Sequence, residues 1–307
     1  MWPTDRHGLV HRDDALQNGI SDRRIAAAVR TGELIVAVRG TYLPAAVLVG
    51  RDDSEAHVYR QRCIAAALGP GRPVLSHDSA AAVHGIDLLY PDRSRVHVTN
   101  GRLSGGSRRP RRVIHNGLLA DDDVVELDGV RVTSAARTVA DIALSTTRLP
   151  QALTALDSGL RAGLLVHEIE PRFHTGRRNC GFARHALSFA DGDSASPGES
   201  WSRAQMIEAR LPLPRLQVEY RLASGRRAFC DFGVDDRFVG EFDGLIKYRR
   251  DMRGGEEPEE VVIREKLRED ELRDLGLDVA RWIWDDLRAR RLVPRLERHY
   301  DKLGIRY

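Results

Sequence analysis

The sequence predicts a mixed α+β protein made of more than one domain. Its 307 residues are about two domains' worth of chain. Helical and strand-like hydrophobic periods alternate along the chain, which favours mixed structure over a purely helical or purely β class. A turn-rich stretch that is poor in apolar residues, 191–198, separates the last third from the rest. We therefore predict three segments, residues 1–50, 51–190 and 197–307.

Composition excludes several classes of protein. Hydrophobic residues make up 42% and charged residues 30% of the chain, which is typical of a folded globular protein. The aliphatic stretches are too short to cross a bilayer, and the N-terminus has no apolar signal core, so we expect a cytoplasmic protein without a membrane partner. The cysteines form no CxxC pair, which predicts reduced thiols and no structural zinc site.

The net charge of +3 is small for 48 basic residues, of which only three are lysine. A GC-rich genome favours arginine codons over lysine codons, so the abundance of arginine alone is weak support for nucleic-acid binding. Because acids and bases nearly balance, any nucleic-acid surface must be a local patch.

The first fifty residues have the pattern of a small winged helix. The predicted elements are helices over residues 12–17 and 21–30 and strands over residues 34–38 and 41–43. Ser21 is placed to cap the second helix, and Arg39-Gly40 would form the wing between the strands. A helix of this kind enters the DNA major groove, although a solvated helix face explains the same pattern. The predicted DNA-binding residues are Ser21, Arg23, Arg24, Arg30 and Arg39.

The central segment is predicted to be α+β, with helices over residues 55–68, 133–143 and 150–162 and strands over residues 95–99, 111–115 and 123–132. An arginine-rich loop over residues 102–112 fits either a phosphate-contacting loop or a solvated basic loop. Four histidines, His77, His84, His97 and His115, lack the spacing of metal ligands.

Several blocks of the first half resemble the AbiEi-type antitoxin family of bacteria. They are "RDDALQNGISDRRIAAAVRTGELIVAVRGTYLP", "VLSHDSAAAVHGI", "VHVTN" and "VRVTSAARTVADIAL", in that order over roughly residues 5–165. Members of that family pair a winged helix with a second domain. The resemblance implies DNA binding through residues 21–30 and Arg39, and a toxin partner of the nucleotidyltransferase class.

The last third places acidic residues on a predicted sheet. The elements are a helix over residues 199–210, strands over 216–222, 227–234 and 238–242, a helix over 259–275 and a strand over 279–284. Glu241 and Asp243 lie two residues apart and point to one side of a strand, which Asp231 can share from an antiparallel neighbour. Glu199 on the preceding helix could supply a fourth carboxylate. Converging carboxylates favour Mg²⁺ or Mn²⁺.

A lysine near such a metal would orient the attacking water or offset developing charge, and Lys247 lies four residues after Asp243. The blocks "SPGESWSRAQM", "RAFCDFGV", "VGEFDGLIKY" and "EKLREDELRDLGLDVARWIWDDL" resemble the PD-(D/E)xK nuclease superfamily, in particular its very-short-patch-repair-like endonucleases. The resemblance implies a restriction-endonuclease-like αβββαβ domain with Asp231 and Glu241 as metal ligands. It departs at Asp243, where the family has lysine.

Two functions therefore follow from the sequence. The first is a DNA-binding protein whose C-terminal domain hydrolyses phosphodiesters with Mg²⁺ or Mn²⁺. Its catalytic residues would be Glu199, Asp231, Glu241 and Lys247, and its metal ligands Asp231, Glu241 and Asp243. The alternative is a catalytically inactive, antitoxin-like transcriptional repressor of a type IV toxin–antitoxin system, whose last domain serves as a dimerisation or partner scaffold. The expected partners are duplex DNA, a nucleotidyltransferase toxin and a second copy in a homodimer; RNA as the nucleic acid stays open.

Overall fold

The protein is described by a computed structural model that covers residues 2–174, 176–244 and 258–307, with the backbone alone for 258–262. As predicted, it mixes helices with sheets. By packing, the chain divides into unit 1, Met1–Ser145 with Val166–Cys180, and unit 2, Thr146–Leu165 with Gly181–Tyr307. None of the described helices is long and apolar enough to pass through a bilayer. These two units are defined by packing alone. They do not test the predicted division into residues 1–50, 51–190 and 197–307, which stays a prediction.

The N-terminal elements of unit 1 form a small sheet with two helices packed on it. They are β1 (Val10–His11), α1 (Arg12–Gln17), α2 (Asp22–Arg30), β2 (Leu34–Val38) and β3 (Thr41–Pro44). The strands lie in the order β1-β3-β2 and both pairs are antiparallel. Ile25 and Ala28 of α2 are buried against Leu34, so the amphipathic pattern of this helix determines which face packs on the sheet. Gly40 has φ +78° in the turn between β2 and β3.

The chain continues through α3 (Ser54–Leu68), β4 (Val74–Leu75), α4 (His77–His84), β5 (Val96–Thr99), β6 (Ser107–Arg109), β7 (Arg112–His115), β8 (Val124–Leu127), β9 (Val130–Thr133), α5 (Ala135–Ser145), α6 (Leu149–Arg161), α7 (Val166–Ile169) and α8 (Cys180–Leu187). Strands β4 to β9 make one sheet in the order β6-β7-β5-β4-β9-β8, with the β5–β7 and β4–β9 pairs parallel. Helix α3 supplies much of the apolar core against one face of this sheet.

One predicted strand of this sheet is wrong. The stretch predicted as a single strand over residues 123–132 is a hairpin, in which β8 and β9 pair antiparallel with Leu127 opposite Val130. The turn residues Asp128 and Gly129 both have positive φ, +50° and +79°. An Asp-Gly pair is a strong hairpin signal because both central positions of this turn type need positive φ.

Unit 2 contains α9 (Pro197–Glu208), β10 (Arg215–Arg221), β11 (Arg227–Val234), β12 (Phe238–Phe242), α10 (Pro258–Asp274), β13 (Asp278–Trp282), α11 (Trp284–Arg288) and α12 (Leu292–Leu303). The sheet has the order β10-β11-β12-β13, antiparallel except for the parallel β12–β13 pair. The last strand ends at Trp282, so Trp284, predicted on the strand, instead begins α11.

Helix α6 packs on α9 through a buried ion pair. The Asp157 carboxylate is fully buried and accepts hydrogen bonds from Arg203 Nη1 at 3.0 Å and from Ser200 Oγ at 2.8 Å. The backbone N–H of Asp191 donates to the same carboxylate at 2.8 Å. An unpaired charge at this depth would be costly, so the pair favours the packing of α6 on α9 within unit 2.

Candidate functional site

The exposed face of α2 lies opposite its buried face. Arg23 and Arg30 are seven residues apart and therefore lie on the same side of the helix, about two turns from each other. Both side chains are exposed, whereas Ile25 and Ala28 on the other side are buried. Arg39 is also exposed, in the turn between β2 and β3. In the described parts of the chain, no carboxylate forms an ion pair with any of these three guanidiniums.

Ser21 and Arg24 have structural partners in the same module. The Ser21 side chain accepts a hydrogen bond from the backbone N–H of Arg24 at 3.3 Å and so caps α2, as predicted. Arg24 donates from Nη2 to both carboxylate oxygens of Glu33, at 2.8 and 2.7 Å, and its guanidinium lies 5.0 Å from the centre of the Trp2 ring. The hydrogen bonds from Arg24 and from Trp2 Nε1 lower the pKa of Glu33. DNA contacts by Ser21 and Arg24 remain predictions.

In unit 2, Glu199 forms hydrogen bonds with residues at the start of its own helix, α9. Ser196 is the N-cap of α9 and accepts a hydrogen bond from Glu199 N at 3.3 Å. The Glu199 side chain is fully buried and accepts hydrogen bonds from Ala195 N at 2.9 Å, Ser196 Oγ at 2.9 Å and Gln217 Nε2 at 3.2 Å. The Ser196 hydroxyl thus accepts from the backbone N–H of Glu199 and donates to its carboxylate, so the glutamate three residues after the capping serine takes part in the helix cap.

We call Asp231, Glu241, Asp243, Glu265 and Glu269 the carboxylate cluster. Glu241 is buried and forms two ion pairs, from Oε1 to Arg268 Nη2 at 2.6 Å and from Oε2 to Arg281 Nη2 at 2.8 Å. Asp231, on β11, accepts a hydrogen bond on Oδ2 from the backbone N–H of Phe242 at 2.8 Å.

Arg281 is the centre of this cluster. Besides Glu241, it pairs with Glu269 at 3.0 Å, Glu265 at 3.3 Å and Asp243 at 3.6 Å. Burial lowers the pKa of Arg281, but the charges of Glu241 and Asp243 more than offset this and raise it. Thus the structure brings Glu241 and Asp243 together through a shared arginine.

The carboxylate oxygens of this cluster, in the arrangement that the fold gives them, do not fit Mg²⁺ or Mn²⁺. Both oxygens of Glu241 face guanidinium groups, whose positive charge opposes a cation at the same place. Within residues 2–174, 176–244 and 258–307, no three histidine, cysteine or carboxylate side chains are arranged to hold a metal ion. Lys247 lies outside the described residues. Metal ligation by Asp231, Glu241 and Asp243 stays a prediction.

Three of the four histidines singled out from the sequence form a cluster in unit 1. The rings of His77 and His115 stack with centroids 3.6 Å apart, and His115 Nε2 lies 3.1 Å from His97 Nδ1. Burial lowers the pKa of His77 to about 3 and that of His115 to about 4. The residues come from α4, β5 and β7, so only the assembled sheet brings them together. Their neutral forms suit a buried position.

Beside this cluster, Asp141 takes part in a buried ion-pair network. Arg137 Nε donates to Asp141 Oδ1 at 2.9 Å, one turn away on α5, and its Nη1 pairs with Asp123 at 2.5 Å. Arg177 also pairs with Asp141, and Arg172 pairs with Asp123 at 3.2 Å. The spacing of Arg137 and Asp141 predicts the first pair, but the other partners come from distant segments. The network holds α5 to its neighbours.

Comparison with known proteins identifies the central domain. The family model described as AbiEi antitoxin C-terminal domain matches residues 73–177. Two Mycobacterium tuberculosis proteins, Uncharacterized protein MT2308 and Uncharacterized protein Rv2248, are each 32% identical to this chain over 242 residues, which cover 76% of this chain and 83% of the relative. The crystal structure of RV2827C protein from the same organism aligns with 17% identity and a TM-score of 0.34, over 70% of this chain and 80% of that one, a likeness too low to support any conclusion.

The resemblance to AbiEi antitoxins is thus confirmed for residues 73–177, while the resemblance of the last third to endonucleases stays a prediction. By its identity to MT2308 and Rv2248 and the share of them that it covers, the chain belongs to their family, and its residues 73–177 match the AbiEi antitoxin C-terminal domain family.

Proposed function

We propose that this protein is a DNA-binding regulator of the AbiEi antitoxin type and that its N-terminal module, residues 2–50, is a winged helix that binds duplex DNA. One observation carries the proposal. The exposed side of α2 and the adjacent hairpin turn hold Arg23, Arg30 and Arg39, none of them in an ion pair with a carboxylate in the described chain. Exposed arginines of this kind are available to phosphate oxygens, since no acid of the described chain has to be displaced.

The buried side of α2 supports the same orientation. Ile25 and Ala28 pack on the small sheet, so only the arginine side of the helix is available to a groove. Arg12 is held by Asp22, from Nε to Oδ1 at 2.8 Å and from Nη2 to Oδ2 at 2.6 Å, which ties the start of α1 to the start of α2. Both side chains are exposed, so this pair adds little stability.

The toxin partner and the homodimer form the finer part of the proposal. A match to an AbiEi antitoxin domain over residues 73–177 supports a nucleotidyltransferase-class toxin as the partner of this protein. If a gene of that class lies beside the gene of this protein, the two products should co-purify when expressed together. Size-exclusion chromatography with light scattering gives the oligomeric state of the regulator alone.

DNA binding is tested with a labelled duplex from the region upstream of the protein's own gene. We expect specific binding that weakens when Arg23, Arg30 or Arg39 is replaced by glutamine. Arg221→Gln is the matched control, because Arg221 is an exposed arginine of unit 2 and the charge change is identical. The proposal fails if the three variants bind as the control does, or if no segment of the upstream region is protected in a footprint.

The endonuclease prediction has weaker support. The order α9, β10, β11, β12, α10, β13 agrees with a restriction-endonuclease-like αβββαβ domain, and we keep that fold as a proposal. Two of the four predicted catalytic residues, however, are engaged elsewhere, Glu199 in a helix cap and Glu241 with two arginines. A cleavage panel of single-stranded, duplex, nicked and RNA substrates with Mn²⁺, with Asp231→Asn as control, decides whether the protein hydrolyses nucleic acid.

A further inference from the structure

Two arginines lie beside Glu241, one of the carboxylates that the sequence predicts to hold a metal ion. In the parallel pair of β12 and β13, Glu241 lies directly opposite Arg281. The strand register therefore fixes this arginine beside the carboxylate, and no rearrangement of a loop is needed to form the 2.8 Å pair. Arg268 reaches the other oxygen of Glu241 from α10.

The two guanidiniums are held as parts of the interior. Their side chains are 19% and 23% exposed, and Arg268 Nη2 also donates to the backbone carbonyl of Phe229 at 2.6 Å. Arg268 pairs with Glu265 at 3.3 Å, so Glu265 is shared between both arginines. A guanidinium keeps its positive charge in the interior and spreads it over three nitrogens, so it can lie close to several carboxylates at once.

The positive charges of Arg268 and Arg281 offset the repulsion among the carboxylates, as a bound divalent cation would. Carboxylates that converge repel one another unless positive charge lies among them. Here Glu241, Asp243, Glu265 and Glu269 each have Arg281 as a partner within 4 Å. A cation that bound at Glu241 would have to displace two paired guanidiniums from a buried carboxylate.

We propose that Arg281, assisted by Arg268, is the internal cation of the carboxylate cluster, and that the cluster therefore binds neither Mg²⁺ nor Mn²⁺. Unit 2 is then stabilised by ion pairs where a nuclease would hold its metal. The inference concerns metal binding alone, so its outcome is independent of DNA binding by the N-terminal module.

The test is a titration of the full-length chain with Mn²⁺, in which the electron paramagnetic resonance signal of free Mn²⁺ reports binding. Wild type and Glu241→Gln should give the same weak, non-saturating uptake. Arg281→Gln should create a saturable site with affinity at least about tenfold higher than wild type, because a like charge a few ångströms from the cation is removed. Adding Glu241→Gln to Arg281→Gln should abolish that site.

Arg226→Gln is the matched control, because Arg226 pairs with Glu271 of α10 at 2.9 Å outside the cluster, and it should not create a site. A saturable Mn²⁺ site in the wild type that Glu241→Gln removes would overturn the proposal. So would an Arg281→Gln protein that shows the wild-type circular dichroism spectrum and gains no site. If Arg281→Gln does not fold, the comparison of wild type with Glu241→Gln decides the question alone.

Discussion

Replacing Glu33 with glutamine is expected to strengthen DNA binding. In the wild type, Glu33 holds the Arg24 guanidinium through both carboxylate oxygens. A neutral amide has no charge to retain Arg24, while its oxygen can still accept the hydrogen bond from Trp2 Nε1. The side chains are 51% and 42% exposed, so the lost pair costs little stability. Arg24 then becomes available to a phosphate beside Arg23.

The size of this effect follows from counterion release. One added phosphate contact steepens the dependence of log affinity on log salt concentration by about 0.9. The advantage of the variant over wild type should therefore grow about fivefold when salt is lowered from about 300 to about 50 mM. Fluorescence anisotropy of a labelled duplex at several KCl concentrations measures both slopes.

The control for this experiment is Glu55→Gln. Glu55 is also exposed and paired with an arginine, Arg93, at 3.2 Å, but it lies outside residues 2–50. Its slope should equal that of wild type. If Glu33→Gln has the same slope as Glu55→Gln, Arg24 does not reach the phosphates, and the reasoning that Glu33 restrains Arg24 from DNA is wrong.

Three further predictions concern stability. Arg203→Met leaves the Asp157 carboxylate buried without its ion partner and should lower the free energy of unfolding by about 3–5 kcal/mol in urea titrations followed by tryptophan fluorescence. Gly240→Ala places a Cβ 2.4 Å from an indole ring and should cost about 1–3 kcal/mol, whereas at Gly181, where a Cβ meets nothing within 4 Å, the same change should be nearly neutral. Burial lowers the pKa of His115 to about 4, so the stability that comes from keeping it neutral is present above about pH 6.5 and lost as pH falls toward 4. Unfolding measured against pH should therefore depend less steeply on acid in His115→Gln than in wild type; equal slopes would contradict this.

Local signals in the sequence predict the N-terminal module well. Serine before a helical period predicts the cap at Ser21, and the spacing of apolar residues predicts which side of α2 is buried. Glu33, the partner of Arg24, lies in a turn after the helix, and no local pattern connects the two residues. The hairpin of β8 and β9 could also have been predicted from local sequence, because Asp128-Gly129 is a turn signal within a run of β-branched residues.

Non-local contacts explain the rest. Arg281 is forty residues from Glu241, and only the parallel register of β12 and β13 makes them neighbours. From spacing alone, the acids of unit 2 therefore resemble a metal site, because the arginines that neutralise them come from a later helix and strand. His77, His97 and His115 likewise meet only after their sheet and helix have assembled.

The salt dependence of DNA binding by a triple variant, Arg23→Gln with Arg30→Gln and Arg39→Gln, tests the central claim most directly. For the wild-type protein on the upstream duplex, the slope of log affinity against log salt should be steeper than that of the triple variant by about 2.7, which corresponds to three phosphate contacts. Arg221→Gln should keep the wild-type slope. Equal slopes for the wild type and the triple variant would contradict the claim that this surface binds DNA.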